Sequence, residues 1–390
     1  LLEIYFSYLL LFTVQAFDAE NSSTNATLAL VAPDDKNKPE STELLNDPFT
    51  SGLNVGMTKN PSNDLQLYEG IGMYEGIGMI RAPENNSQFQ FDVTGRAAYD
   101  SNREEWSFTQ YYGFDFIKTL TNNTGDYATL ILQGGVTRII NNPSPPFFFD
   151  GPTDSQWTYR MFYINLKLAK QDSLNLKIGR FEMPFGLEMT NNTNGTLRQF
   201  GTAQNLGIKG DWGLTLNGVS RGLEYEFGIS RGSNQSWKTS GSPYAFVARV
   251  GTDSTVGSWV GVSAFDAKLY RPGTTIERNR IGVDAGIEFD AYTLMGEFSI
   301  GENESNDAMH GLIELNWRNP AENWFAYGQV RMQKQQTSAN GWQGPLQSAL
   351  GIKYSSYQNW VLSAELVQNL EKTSSGSRDT SISFQVRYRF

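Results

Sequence analysis

Cysteine is absent from all 390 residues, and histidine occurs once, at His310. The first absence excludes a disulfide framework, a thiolate metal site and covalent haem attachment through C-x-x-C-H. The second leaves little for acid–base or nucleophilic catalysis, and no H-E-x-x-H pattern occurs. Paired carboxylates such as Glu104 and Glu105 are adjacent, so in a strand they point to opposite faces and make a poor acid/base pair. Long apolar runs are missing too: nothing after the first seventeen residues approaches the roughly 20 consecutive apolar residues that a membrane helix needs. Basic charge is scarce, with 31 Lys and Arg against 41 Asp and Glu and a net charge of −10. A nucleic-acid partner, which wants a basic face, is not expected.

Aromatics and glycine fill the space: 24 Phe, 18 Tyr, 9 Trp and 38 Gly, at a mean hydropathy of only −0.42. Strands that alternate lipid-facing and water-facing residues average to that composition. The end of the chain shows the alternation most plainly. Ile382, Phe384, Val386, Tyr388 and Phe390 occupy every second position, with Ser383, Gln385, Arg387 and Arg389 between them. A strand sends successive side chains to opposite faces, so this tail has one apolar and one polar face. Phe384, Val386, Tyr388 and Phe390 suit a last strand that closes a membrane barrel and ends in its aromatic girdle. A soluble all-β protein of many short strands is the competing reading.

The same pattern recurs upstream. Phe89, Phe91, Val93, Ala97 and Tyr99 alternate with Gln90, Asp92, Thr94 and Arg96; Leu223, Tyr225, Phe227 and Ile229 alternate with Glu224, Glu226 and Ser230. Charged groups at alternate positions cannot all enter a dry core, but they can line a wet lumen. Turn clusters such as Asn122 to Asp126 and Thr373 to Ser377 separate the runs. At about twenty residues per strand and turn, the stretch from Leu65 to Phe390 predicts a transmembrane antiparallel β-barrel of about 16 (16–18) strands, with short periplasmic turns and longer extracellular loops. Most tryptophans, Trp106, Trp157, Trp237, Trp259, Trp317, Trp324, Trp342 and Trp360, stand near predicted strand ends, at headgroup level.

Residues 1–16 are expected to be an export signal, with an apolar Ile4 to Val14 and a small-residue site at Val14-Gln15-Ala16; Glu3 is atypical there. Residues 17–65, rich in Asn, Ser, Thr, Asp and Pro, read as a flexible polar arm. The barrel is expected over 66–390. A tandem repeat, Tyr68 to Met73 and Tyr74 to Met79, keeps one strand phase and reads as a bulged first strand.

Leu174 to Glu188 runs Leu-Asn-Leu-Lys-Ile-Gly-Arg-Phe-Glu-Met-Pro-Phe-Gly-Leu-Glu. It resembles the strand-and-turn signature of the phosphate-selective porin O and P family at Gly179, Arg180, Phe181, Pro184, Phe185, Gly186, Leu187 and Glu188. The resemblance implies a sixteen-stranded diffusion porin of a Gram-negative outer membrane, integral in lipid and lipopolysaccharide, inserted by the barrel assembly machinery and often trimeric, with loops folded into the lumen. Independently of it, Pro184 removes a ladder donor and Gly186 permits a sharp turn, so this segment can leave the wall and fold inward.

By strand phase, the lumen bases are Arg96, Lys167, Lys177, Arg249, Lys268, Arg331 and Lys353. The acids are Asp92, Asp115, Glu224, Glu226, Asp284, Glu288, Glu314 and Glu365. A phosphate pore needs a dense ladder of bases, and this mixture predicts weak, slightly cation-preferring selectivity instead. No cofactor and no catalysis are expected, and His310 reads as a rim residue. Two other readings stand beside the porin. One is a barrel sheathing a separate multihaem cytochrome, favoured by a glycine-rich lumen (Gly134, Gly135, Gly282, Gly286, Gly351). The other is a structural barrel anchoring neighbours through loops such as Asn141 to Gln156 and Ser233 to Pro243. The expected global signature is a β-rich circular dichroism spectrum and a detergent-folded band that shifts on boiling; a mostly helical spectrum would refute the barrel.

Overall fold

The computed structural model describes residues 87–390 apart from 124, 141–155, 170–171, 192, 253–256, 322, 338–340, 357–358 and 372–378. The expected export signal, the polar arm, the tandem repeat and all but the end of the Asn141 to Gln156 loop lie outside the described residues. In chain order the strands are β1 (Ser87–Asp100), β2 (Glu105–Asn122), β3 (Gly125–Ile140), β4 (Gln156–Lys167), β5 (Asn175–Glu182) and β6 (Gly210–Ser220). There follow β7 (Leu223–Ser230), β8 (Tyr244–Thr252), β9 (Ser258–Arg271), β10 (Thr274–Phe289), β11 (Tyr292–Asn303) and β12 (Asn306–Arg318). The last are β13 (Trp324–Thr337), β14 (Gly341–Gln343), β15 (Leu346–Ser355), β16 (Trp360–Asn369) and β17 (Thr380–Arg389).

Each strand pairs antiparallel with its neighbours in sequence, and β17 pairs back onto β1. The short β14 and the longer β15 both pair with β13, interrupted at Gly344 and Pro345, so together they form one stave. The result is a closed barrel of sixteen staves. Closure leaves no strand edge with unpaired backbone groups, the condition for a sheet to sit in hydrocarbon. Among the described residues no helix is long and apolar enough to cross a membrane. Local chemistry agrees with the meander: the two-residue turn Arg221–Gly222 has φ of 53° and 76°, the left-handed pair that suits the twist of a tight hairpin.

The polarity is inverted relative to a soluble domain. Ile313, Ile281, Leu350, Val262, Phe384 and Phe227 are exposed on the outer wall, while Arg249, Arg387, Glu226, Asp284 and Glu314 are buried inside. The final strand follows the alternation: Ile382, Phe384 and Phe390 face out, and Ser383, Gln385, Arg387 and Arg389 are buried. Aromatics gather at both ends of the wall. Phe91, Tyr388 and Phe390 stack near the termini with ring centroids 5.2 and 5.4 Å apart, and Trp157, Tyr159, Trp212 and Trp237 form a chain at the other rim. Trp259 departs from the girdle expectation. It stands at a strand end but on the inward phase, 3% exposed, its ring lying over Gly286 on the adjacent strand.

A charge placed mid-wall on the outer face costs about 2–4 kcal/mol in lipid. Ile313, near the middle of β12, is 63% exposed. Ile313→Arg is therefore expected to lower stability by that amount in urea titrations of the lipid-folded protein.

Candidate functional site

The barrel interior is shaped by the chain between β5 and β6. Ladder pairing ends at Glu182–Gly210, and the segment 183–209 turns inward through Pro184, Phe185 and Gly186. Gly186 has φ 59°, and a side chain there would collide with the Glu297 carboxylate. Two short helices follow, α1 (Leu187–Thr190) and α2 (Thr202–Leu206). Phe185, Leu187, Phe200 and Leu206 are fully buried. Leu187 and Phe200 pack with Trp259, Met295 and Leu312 of the wall, while Phe185 and Leu206 join a larger cluster with Phe181, Phe265 and Leu269. The segment thus packs its apolar side chains onto an apolar patch of the inner wall that includes Ile117, Ile131, Val247 and Phe265.

Backbone turned away from the wall needs new partners, and inward side chains provide them. Gly186 N donates to Ser263 Oγ at 3.0 Å and Leu187 N to Glu297 Oε2 at 2.8 Å. Glu188 staples the two ends of the segment, meeting Lys209 Nζ at 2.8 Å and accepting from Thr193 Oγ1 at 2.6 Å. Arg271 donates to Gly207 O at 2.9 Å, and Arg278 to Gln204 O and Asn205 O, both at 3.0 Å. Three carbonyls at the C-terminal end of α2 are thereby capped by guanidinium groups, where positive charge is favoured. On the far side Arg96 reaches Thr196 O at 2.9 Å and Gln385 donates to Gly195 O at 2.9 Å. The segment spans the lumen from β5 to the β17–β1 seam. Arg180, in the motif that precedes it, is on the outward phase; it donates to Tyr159 O at 2.8 Å and to Asn234 O at 3.1 Å. It ties the 231–243 connection to the wall near the end of β5.

The structure places nearly all the sequence-predicted charges on inward phases. Arg249 and Asp284 form a bidentate pair, 3.0 and 2.6 Å. Lys177 meets Glu226 at 2.8 Å. Asp92 is held by Arg387 at 2.5 Å and Arg160 at 3.2 Å, with Asp115 3.5 Å from Arg389. Glu314 takes Arg198 at 2.5 Å and Gln329 at 2.7 Å, and Glu365 accepts from Tyr327 at 2.9 Å. Arg96, Glu224, Arg331 and Lys353 also point inward, and Glu288 does so at one rim. Lys167 lies at the same rim, 3.0 Å from Asp172. Lys268 does not belong with them. In β9 the buried, inward set is Trp259, Gly261, Ser263, Phe265, Ala267 and Leu269, so Lys268 falls on the outer face, across from Glu277 and Tyr244.

Several interior bases escape phase counting. A bulge opposite Gln133 and Gly134 inserts Arg160 as an extra residue in β4 and turns it inward; a bulge shifts phase by one without a strong sequence mark. Arg198 and Lys209 belong to the inserted segment, which strand periodicity does not describe. Arg387 and Arg389 were legible on the polar face of the last strand. His310 is not a rim residue: it is 3% exposed, with Nδ1 3.4 Å from Glu297 Oε1 and Nε2 close to Gly201.

Cavities lie at opposite ends of the lumen. One of about 360 Å³ is lined by Asp100, Arg103, Glu105, Arg331, Glu365 and Asp379, together with amides including Gln199 and Gln347. The other, about 510 Å³, lies at the rim where β1 begins and β17 ends, among Glu288, Asp290, Met295, Arg318, Phe325 and Arg198. Between them stands Arg198, its guanidinium carbon 4.7 Å from the Phe200 ring centre and 5.3 Å from that of Phe325. The glycines that suggested a smooth sheath are seats for this chain's own aromatic rings: Gly286 under Trp259, Gly351 under Tyr327 and Gly282 against Phe185.

No family model matches the chain, and no curated protein matches it. Solved structures do. OmpF of Salmonella typhi, in complex with daunomycin, is 13% identical and superposes with a TM-score of 0.60 over 78% of this chain and 97% of its own. An anion-selective porin from Comamonas acidovorans gives 11% and 0.56 over 78% and 99%. OprB of Pseudomonas putida gives 10% and 0.57 over 79% and 95%. At these identities the likeness is one of fold, and the fold is that of the sixteen-stranded porins.

Gly186 is where the inward turn is decided. Gly186→Ala forces a strained left-handed backbone and displaces Glu297, at a cost of about 1–3 kcal/mol. The expected result is a lower unfolding midpoint together with new tryptic cleavage after Arg198 or Lys209.

Proposed function

We propose that this protein is a bacterial outer-membrane porin, a water-filled channel for passive diffusion of small hydrophilic solutes and ions. One observation carries the reading: a closed sixteen-stave barrel with an apolar outside and a charged inside, narrowed by its own 183–209 segment. Resemblance at Leu174 to Glu188 to the porin O and P family supports it further, since that motif is where the segment departs. The longer connections 183–209 and 231–243 leave one rim; that rim faces outward in this reading, and the rim of the termini faces the periplasm. Assembly into a trimer fits an outer-wall feature: Gln110 and Arg138, cross-strand neighbours, sit between apolar rows Phe108–Ile140 and Tyr112–Val136. A second copy would cover a guanidinium that lipid disfavours.

Most lumen carboxylates are neutralised by a nearby base, so their fields largely cancel beyond a Debye length. Among groups lining the two cavities, Asp100, Glu105, Glu365 and Asp379 outnumber Arg103 and Arg331 in one, and the other is balanced. Weak selectivity with a slight cation preference is the consequence.

A cytochrome sheath is disfavoured, because the lumen is already crossed by the protein's own chain. Catalysis has no support either. His310 faces Glu297, whose other oxygen holds Leu187 N, and Ser299 opposite accepts from Asn205 at 2.9 Å. The G-x-S-x-G spacings at Gly218 to Gly222 and Gly228 to Gly232 straddle strand ends and no helix follows them, so neither is a nucleophile elbow.

Planar-bilayer recording tests the proposal. Stable ohmic openings with a small, cation-signed reversal potential in a salt gradient are expected, and Arg198→Ala should raise the conductance by opening the partition between the cavities. Silence from a folded, heat-modifiable barrel would refute the channel.

A further inference from the structure

The 510 Å³ cavity, at the rim where β1 begins and β17 ends, differs from the middle of the lumen in how its charges are balanced. In mid-lumen five carboxylates are clamped by a base: Asp92 by Arg387, Glu188 by Lys209, Glu226 by Lys177, Asp284 by Arg249 and Glu314 by Arg198. Among the described residues, Glu288 and Asp290 on one side of this cavity and Arg318 on the other make no side-chain hydrogen bond and no ion pair. Their side chains interact at longer range: Glu288 with Arg318 electrostatically, and Arg318 with the Phe325 ring at 6.0 Å.

Strand register sets the spacing. Glu288 pairs with Thr293, and Thr293 with Asn316, so the carboxylate rises from β10 and Arg318 from β12, with β11 between them. Two strand spacings are about 9.5 Å. Opposite charges raised from strands two apart, with Arg318 two residues beyond Asn316, and facing one cavity suit a molecule carrying both an ammonium and a carboxylate. Met295 of β11 puts an apolar group between them, Phe325 lies across from Arg318 on β13, and Thr293 and Asn316 add neutral hydrogen-bonding groups. The carboxylate end is the more basic: Arg198, Lys353 and Arg318 lie 5.3, 5.6 and 6.0 Å from the Phe325 ring centre.

We propose that this vestibule is a binding site for zwitterionic solutes of the amino-acid and dipeptide class, with the ammonium at Glu288 and Asp290 and the carboxylate at Arg318. The inference rests on the channel reading for its biological use, since a site at one mouth of a pore concentrates the solute that enters it. Binding itself does not depend on conduction. A neutral solute of equal size forgoes both charge-assisted contacts, and either ionic end alone forgoes one.

Saturation-transfer NMR on the full chain folded in detergent tests it, with glycylglycine against N-acetylglycinamide, which has a similar length and no charge. Glycylglycine is expected to bind at least about tenfold more tightly, and Arg318→Gln or the double change Glu288→Gln with Asp290→Asn to weaken it by about tenfold, the usual value of one charge-assisted contact. Arg318→Lys should retain most of the affinity, and Lys167→Gln at the same rim should leave it unchanged; a boiling-dependent gel shift confirms that each variant is folded. Equal binding of the two solutes, or undiminished binding in folded Arg318→Gln, overturns the proposal. A conducting barrel without preferential binding would sink this site alone, whereas binding by a barrel that never conducts would uphold the site and sink the channel.

Discussion

Ladder closure between β17 and β1 is the constraint on which everything else depends. Nine residue pairs, from Asp92↔Arg389 to Asp100↔Ser381, join the two ends of the described barrel. In hydrocarbon each unpaired backbone group is costly, so a sheet of this kind exists closed or not at all. Closure then dictates polarity: the outside meets lipid and must be apolar, and only the inside can hold charge. The arginines of the last strand are buried because their apolar neighbours, Phe384 and Phe390 among them, have taken the outer face.

A second constraint follows from the first. Sixteen staves enclose more space than wall side chains can fill, and the protein narrows it with its own backbone. That backbone arrives with unsatisfied donors and acceptors, and the wall meets them from many strands: Ser263, Glu297, Arg271, Arg278, Arg96 and Gln385 each hold a main-chain atom of 183–209. Many interior polar residues are therefore part of the segment's anchorage as well as of the lumen's electrostatics. Arg198 serves both purposes, since its pair with Glu314 fixes the segment and also separates the two cavities.

The candidate site was partly legible in advance for the same reasons. Alternation identified Asp92, Glu226, Arg249, Asp284 and Glu314, because inward charges in a regular strand keep their phase. It misassigned Lys268, because Phe265, Ala267 and Leu269 of β9 form an apolar row on the inner face against the 183–209 segment, which leaves the polar phase outside. It missed Arg160, displaced by a bulge, and Arg198 and Lys209, which lie where no strand period exists. Trp259 was misjudged in a related way: its place at a strand end was read correctly, but which face the ring takes depends on the partner it finds, here Gly286. His310 was read as a rim residue, whereas it is buried against Glu297 and Gly201.

By itself the sequence determined the class of fold, the apolar and polar faces of the strands, the closing role of the terminal strand, and the point at Pro184 to Gly186 where the chain can leave the wall. These are local properties, set by a two-residue period and by the backbone preferences of single residues. Only the tertiary structure decided where the departing segment goes, which arginines neutralise which carboxylates, and that Glu288, Asp290 and Arg318 are left facing a cavity. Those outcomes depend on strands distant in sequence being brought across the lumen, as Arg198 and Glu314 are across 116 residues, and no local period encodes such a convergence.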